Sequence, residues 1–278
     1  MNGLPLYSAR ERVMHPMKLR RLTVKETADL TPSFRRVVFT GNELVDFVTL
    51  APADHVKLFF PDESGQIVTP SFGPDGPRKP PAGTVIARDY TPAHFDLENR
   101  ELAIDFFLHE ERGPASSWAA SASPGDEIVV AGPRGSHLPP QDISTAVLIA
   151  DETALPSVAR WLQSFPKEQR VIILGSIEEP STSEYLAQLP STPLPAYEAS
   201  WFTGKDREDA LVASLSGITL DAKTFVYVAG EAGLVVRARR FLRQELGLTK
   251  EQVDAHGYWK RGVANHDHHE PLEPSESR

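Results

Sequence analysis

Three almost unbroken apolar runs constrain this chain more than any other feature. They are residues 146–150 (AVLIA), 171–175 (VIILG) and 224–229 (TFVYVA). A strand with no polar face must be covered on both sides, as the strands of a parallel sheet are when helices flank them. Helical spacing occupies the intervals. Leu155, Val158, Ala159, Leu162 and Phe165 recur at that period, as do Leu234, Val235, Ala238, Phe241 and Leu242. Gly247 is placed to stop the second helix. Alternating strands and helices of this kind predict an α/β domain over residues 143–262.

The first half reads differently. Residues 19–26, 34–40 and 55–60 are short strand patterns between turn residues. In 102–108 the positions Leu102, Ile104, Phe106 and Leu108 alternate with Ala103, Asp105 and Phe107, which suits a strand with one face in a core. Another strand, 126–131, is entered through Pro124-Gly125. Many short strands and little helix predict a small antiparallel β-barrel over residues 18–138. The predicted fold is therefore β + α/β: an N-terminal antiparallel barrel, then a parallel-sheet, nucleotide-binding-like domain. The segment 65–83 is rich in Pro and Gly and reads as a surface loop, and HLPPQD (137–142) reads as a linker. The acidic stretch 263–278 reads as a disordered tail. Its His266, His268 and His269 carry the raw chemistry of a metal site but no packing to organise one.

Composition narrows the chemistry. The chain has no cysteine, so disulfides, thiolate metal sites and iron–sulfur ligation by its own residues are excluded, and redox chemistry would need a borrowed cofactor. A formal net charge of -9 disfavours a nucleic-acid partner. No secretory h-region opens the sequence and no apolar stretch is long enough to cross a membrane, so a cytoplasmic location is expected.

Several motifs carry chemistry. Arg88-Asp89-Tyr90-Thr91 follows an expected strand at 84–88. Its Arg offers a fork of donors for a diphosphate, its Tyr a flat ring, its Thr a hydroxyl. The stretch 109–118, HEERGPASSW, reads as a helix start with Pro at the first helical position. Such an end offers free amides to a phosphate, although by itself the segment reads first as a simple capped helix with no ligand. GPRGS (132–136) reads as a turn. ADETALP (150–156) lies where a parallel strand meets its helix, the end of the sheet at which ligands gather, yet it is neither G-x-G-x-x-G nor a P-loop. Asp151 and Glu152 there would repel a phosphate. YVAGE (227–231) and HGYWKRG (256–262) complete the set. Plain structural readings exist for both, a helix N-terminal Glu and a structural anchor.

In their order, RDYT, HEERGPASSW, GPRGS, DETALP, AGE and GYWKRG resemble the siderophore-interacting proteins, over most of the chain from Lys18 to Gly262. RDYT is similar to the R-x-Y-[ST] signature of the wider ferredoxin reductase-like flavoproteins. The resemblance implies FAD held by Arg88, Tyr90 and Thr91, by the loop with Gly113, Ala115, Ser116 and Ser117, and by Thr153. His109 reads either as a flavin contact or as a satisfied strand-end histidine. The resemblance also implies reduction of a cytoplasmic ferric siderophore to release ferrous iron, with Lys57, Lys260 and Arg261 as cations for the anionic chelate; Lys57 reads alternatively as a solvent-facing strand residue. No side chain is expected to act as nucleophile or general acid. Relatives using NAD(P)H usually carry glycines at the 150–156 position, and general members of the superfamily carry Cys where Ala229 stands here. Those departures, with the chain beyond Gly262, point to reduced ferredoxin as donor or to loose NAD(P)H use. A general NAD(P)H-flavin or ferredoxin reductase and a non-catalytic siderophore-binding protein are the alternatives.

Overall fold

A computed structural model describes residues 10–73, 76–78, 80–81, 84–109, 113–189 and 194–263. The tail histidines and residues 110–112 lie outside the described residues. The chain divides into two compact units, one spanning Arg12–His137 and the other Leu138 onward together with the residues up to Glu11.

The first unit contains β1 (Arg12–Met14), β2 (Leu19–Thr31), β3 (Phe34–Thr40), β4 (Val56–Phe59), β5 (Ser71–Gly73), β6 (Gly76–Arg78), β7 (Ala87–Tyr90), β8 (Pro92–Asp96), β9 (Glu101–Phe107), α1 (Pro114–Ser121), β10 (Glu127–Ala131) and β11 (Gly135–His137). Seven of these strands form one antiparallel sheet in the order β7-β4-β10-β2-β3-β9-β8. Its outermost strands, β7 and β8, are consecutive in the chain and separated only by Thr91. The sheet must therefore curl until its edges nearly meet, which yields the predicted barrel. Alternation along the strands fills the inside with Leu22, Val37, Phe39, Leu58, Leu102, Ile104, Phe106, Ile128 and Val130. Helix α1 adds Ala115 and Ala119 to that core.

The motif strand begins later than its apolar residues suggest. Residues 84–86 are outside β7, and Arg88 through Tyr90 are inside it, paired with β4 in the register Val56↔Tyr90, Lys57↔Asp89, Leu58↔Arg88. The Thr84 amide and hydroxyl both turn back to the Pro81 carbonyl, at 3.3 and 2.7 Å, and the Phe60 amide reaches the Ile86 carbonyl at 2.8 Å only as the strand begins.

The second unit holds β12 (Thr145–Asp151), α2 (Leu155–Ser164), β13 (Arg170–Ser176), β14 (Tyr197–Phe202), α3 (Arg207–Ser214), β15 (Thr224–Glu231), α4 (Ala232–Arg240) and β16 (Val253–Trp259). All five strands are parallel, in the order β14-β13-β12-β15-β16. Every residue of β12 and β15 is buried, as their composition demands. A π turn, Phe241–Glu245, extends α4, and Gly247 at φ 73 ends it. The two edge strands were not evident in the sequence. β14 exposes most of its side chains, and β16 carries Asp254 and His256 among its apolar residues.

Candidate functional site

Strand alternation assigns the motif residues to faces of the barrel. Arg88 and Tyr90 project on one side of β7, the side of Val56 and Leu58, and Asp89 projects on the other, beside Lys57. The Lys57 Nζ donates to Asp89 Oδ2 at 2.7 Å, with 45% of the Lys57 side chain exposed. Lys57 is thus a half-exposed strand lysine already paired to a carboxylate. Arg88, half-buried, bonds through Nη1 to the Ala87 carbonyl at 2.7 Å. Thr91 is buried at the junction with β8.

Tyr90 belongs to an aromatic cluster. Its ring lies 4.5 Å from that of Phe106 and 6.4 Å from that of Phe60, and both partners also pack on Trp118 of α1, at 6.1 and 5.5 Å. Burial pushes the Tyr90 phenol above its ordinary range, so it stays neutral at physiological pH. This cluster ties the RDYT strand to the GPASSW helix inside one core.

Helix α1 starts without a side-chain cap. Gly113 is the N-cap and makes no side-chain bond, and Pro114 has no N–H to offer. The Ser117 amide bonds to the Gly113 carbonyl at 2.9 Å, which begins the helical ladder. The amides of Ala115 and Ser116 precede that ladder and have no acceptor within the helix. The Ser116 hydroxyl is turned inward to the Gly113 carbonyl at 3.1 Å, whereas Ser117 is exposed. His109 is exposed at the end of β9, with Nε2 3.5 Å from Ser116 Oγ. A guanidinium, two amides without an acceptor in the helix, the exposed Ser117 hydroxyl and His109 imidazole and a half-buried phenol suit a ligand with both a phosphate and a flat ring. FAD fits that donor set.

GPRGS does more than turn. Gly135–His137 pairs with Arg12–Met14, and the buried Ser136 hydroxyl donates to Asp54 Oδ2 at 2.7 Å.

In the second unit, the sheet's C-terminal end is organised around one buried carboxylate. Asp151 Oδ1 accepts from the Thr153 amide at 2.9 Å and from its hydroxyl at 2.6 Å. Oδ2 accepts from the Glu231 amide at 2.7 Å and from the Trp259 indole at 2.8 Å. DETALP, AGE and GYWKRG thus converge on the same group. Gly230 makes the approach possible: its φ is +135, and a Cβ there would lie 2.4 Å from the Asp151 carboxyl carbon. Glu231 caps α4, its Oε2 accepting from the Leu234 amide at 3.0 Å, and its Oε1 accepts from the Arg261 amide at 3.2 Å. Thr153 is engaged entirely with Asp151 in these contacts. Burial raises the Asp151 pKa although its four hydrogen bonds oppose the shift. Burial and the neighbouring Asp151 charge push Glu152 up to about 7.

Lys260 and Arg261 follow Trp259 in an exposed turn closed by the Val263 amide on the Lys260 carbonyl, 3.0 Å, with Gly262 at φ 76. The Arg261 guanidinium reaches Glu208 Oε1 at 3.0 Å. Among the described residues no group of three or more His, Asp and Glu side chains is placed to hold a metal. Sequence reasoning singled out Asp151 only as a charge that would repel phosphate. The pattern Asp-x-Thr at a strand-to-helix junction is an N-cap signal and could have identified its role.

A barrel joined in sequence to a parallel α/β unit, with Arg88 and Tyr90 on a barrel strand and Thr91 just beyond it, has the ferredoxin reductase-like fold. The ferredoxin reductase in carbazole 1,9a-dioxygenase shares this fold, with TM-score 0.64 at 14% identity over 88% of this chain and 70% of that one. Residues 23–137 match the family described as the siderophore-interacting FAD-binding domain, and residues 143–262 that described as siderophore-interacting protein. The chain is 34% identical to the NADPH-dependent ferric-chelate reductase of Escherichia coli, over 93% of this chain and 99% of that protein. A siderophore utilization protein from T. fusca is 34% identical and superimposes with TM-score 0.82, covering 93% of this chain and all (100%) of that one. The ferric vibriobactin reductase of Vibrio cholerae is 23% identical over 84% of this chain and 87% of its own. This chain belongs to the siderophore-interacting protein family and carries that family's FAD-binding domain.

Proposed function

We propose that this protein is a flavin-dependent ferric-siderophore reductase that releases ferrous iron in the cytoplasm. The observation that carries the reading is the uncapped start of α1, tied through Trp118, Phe106 and Tyr90 to the Arg88–Thr91 strand, within a domain matching the FAD-binding model of this family. Arg88 and the amides of Ala115 and Ser116 take the FAD diphosphate. Tyr90 lies along the ring system, Thr91 and Ser117 offer hydroxyls, and His109 borders the same helix start. Thr153 is the least suited of the proposed FAD contacts, because Asp151 already takes both its amide and its hydroxyl. FAD, when bound, supplies a centre that accepts two electrons together and passes them on singly.

Lys57, Lys260 and Arg261 present cations to an anionic ferric chelate. Ferric iron is held far more tightly by hard oxygen ligands than ferrous iron, so one electron per iron loosens the complex. One NADPH, giving up a hydride, accounts for two ferric ions reduced, with NADP+ and a proton as the other products. NADPH is the proposed donor because the relative in Escherichia coli is NADPH-dependent. Reduced ferredoxin is the second candidate, favoured by the occupation of the sheet's C-terminal end by Asp151. Among the described residues no helix is long and apolar enough to cross a membrane.

The test is anaerobic. Purified holoprotein is bleached with NADPH, NADH or reduced ferredoxin, then mixed with a ferric siderophore. The expected result is bleaching by at least one donor, then reoxidation with ferrous iron trapped by a chromogenic chelator. Bleaching without siderophore-dependent reoxidation would leave a general flavin reductase. Siderophore binding by a protein that takes up no FAD would leave a binding module.

A further inference from the structure

The Lys260–Arg261 turn is held by atoms that do not themselves carry the turn's charge. Trp259 is fixed by its indole N–H on Asp151 Oδ2, and the Arg261 backbone by its amide on Glu231 Oε1. The Glu231 backbone is in turn fixed on the same Asp151 oxygen. Asp151 and Glu231 are 4% and 7% exposed, while the Arg261 side chain is 65% exposed. A rigid buried anchor therefore underlies an exposed cationic turn. Apart from the anchor, the turn is tied by the end of the β15–β16 ladder, where Trp259 lies opposite Glu231, by the short Lys260–Val263 closure and by the Arg261–Glu208 pair, whose Arg side chain is 65% exposed.

We infer that Asp151 is a positioning residue for siderophore capture, holding the Trp259–Gly262 turn so that Lys260 and Arg261 meet the anionic chelate in one fixed arrangement. This rests on the proposed role of those two cations. It also gives the DETALP carboxylate a purpose other than repelling a nucleotide. An acceptor-only group is required: four donors point at its two oxygens, and the amide of an Asn would turn an N–H2 towards two of them. Ordering the two long cationic side chains and their backbone beforehand removes an entropic cost from binding.

The test uses the FAD-loaded full chain and the ferric complex of 2,3-dihydroxybenzoate as probe, with Kd from titration and turnover from chelator-trapped ferrous iron. Asp151→Asn should raise Kd and KM roughly tenfold, with kcat at saturating probe and FAD content unchanged. Trp259→Phe keeps the ring and removes one donor, and should raise both about threefold. The double variant should be no weaker than Asp151→Asn alone, because both remove the same contact. A purely structural Asp151 would lower kcat, FAD content and folded yield together. Should Asp151→Asn fail to fold, Trp259→Phe decides the matter. If the paired change Lys260→Ala and Arg261→Ala weakens the probe but Asp151→Asn and Trp259→Phe do not, the positioning role is overturned and the siderophore reading stands. If the paired change leaves Kd unaltered, the siderophore role of the turn falls, and the positioning role with it.

Discussion

The helix starts beside the two candidate sites are built in opposite ways, although α3 of the α/β unit also begins without a side-chain cap. In the barrel, α1 begins at Gly113-Pro114 with no side-chain cap, leaving the amides of Ala115 and Ser116 without an intrahelical acceptor. In the α/β unit, Asp151 caps the turn leading into α2 and Glu231 caps α4. The first arrangement leaves a partial positive charge for an incoming anion, and the second consumes its own with buried carboxylates. Ligand sites of parallel sheets lie at the strands' C-terminal end, where Asp151 sits. In this chain one buried carboxylate, bonded from three separated segments, fills that end of the sheet.

The sharpest way to break the closed side is Gly230→Ala. A Cβ there would strike the Asp151 carboxyl, and the backbone would be held at φ +135, so a loss of about 4 kcal/mol is expected in urea unfolding. Unfolding within 1 kcal/mol of the parent, on the scale of ordinary surface changes, would show the Asp151 web to be loose.

Next in size is a pH effect from Glu152, buried beside Asp151. Its folded pKa of about 7 lies above the unfolded carboxyl value near 4.5, so its contribution is intact below that value and is lost as pH rises through about 7. The loss is roughly 3 kcal/mol by linkage. Glu152→Gln should flatten this part of the stability profile between pH 5 and 8. An unchanged slope would remove the assignment.

On the open side, Arg88→Ala should weaken FAD by about 2 kcal/mol, some thirtyfold, seen as a paler purified protein that regains colour with added FAD. The smallest effect is expected at Lys57→Ala. Its ammonium is half-exposed and shared with Asp89, so siderophore Kd should rise only about threefold, less at high salt, with FAD content retained.

Much of the fold was legible because burial leaves a compositional mark. β12 and β15 are covered on both faces, and their apolar runs say so. β9 is recognisable by alternation, but its second face, with Ala103 and Asp105, is buried too rather than facing solvent. β14, with the exposed sequence YEASWF, pairs through its backbone at the sheet's edge and carries no such mark. The site divides the same way. RDYT and GPASSW are local motifs whose donors follow from their own residues. The Asp151 web joins positions separated by 80 and 108 residues, and two of its four donors are backbone amides, to which side-chain identity is no guide. Lys57 was legible as a candidate, but its pairing with Asp89 depended on the register of β4 against β7.

The most direct measurement is titration of the flavin-free full chain with FAD and, separately, with NADP+. The contrast between the open and the closed helix starts predicts one FAD per chain, a flavin absorbance spectrum, and NADP+ binding at least about tenfold weaker. A chain that takes up no FAD, or that binds NADP+ as tightly as FAD, would contradict it.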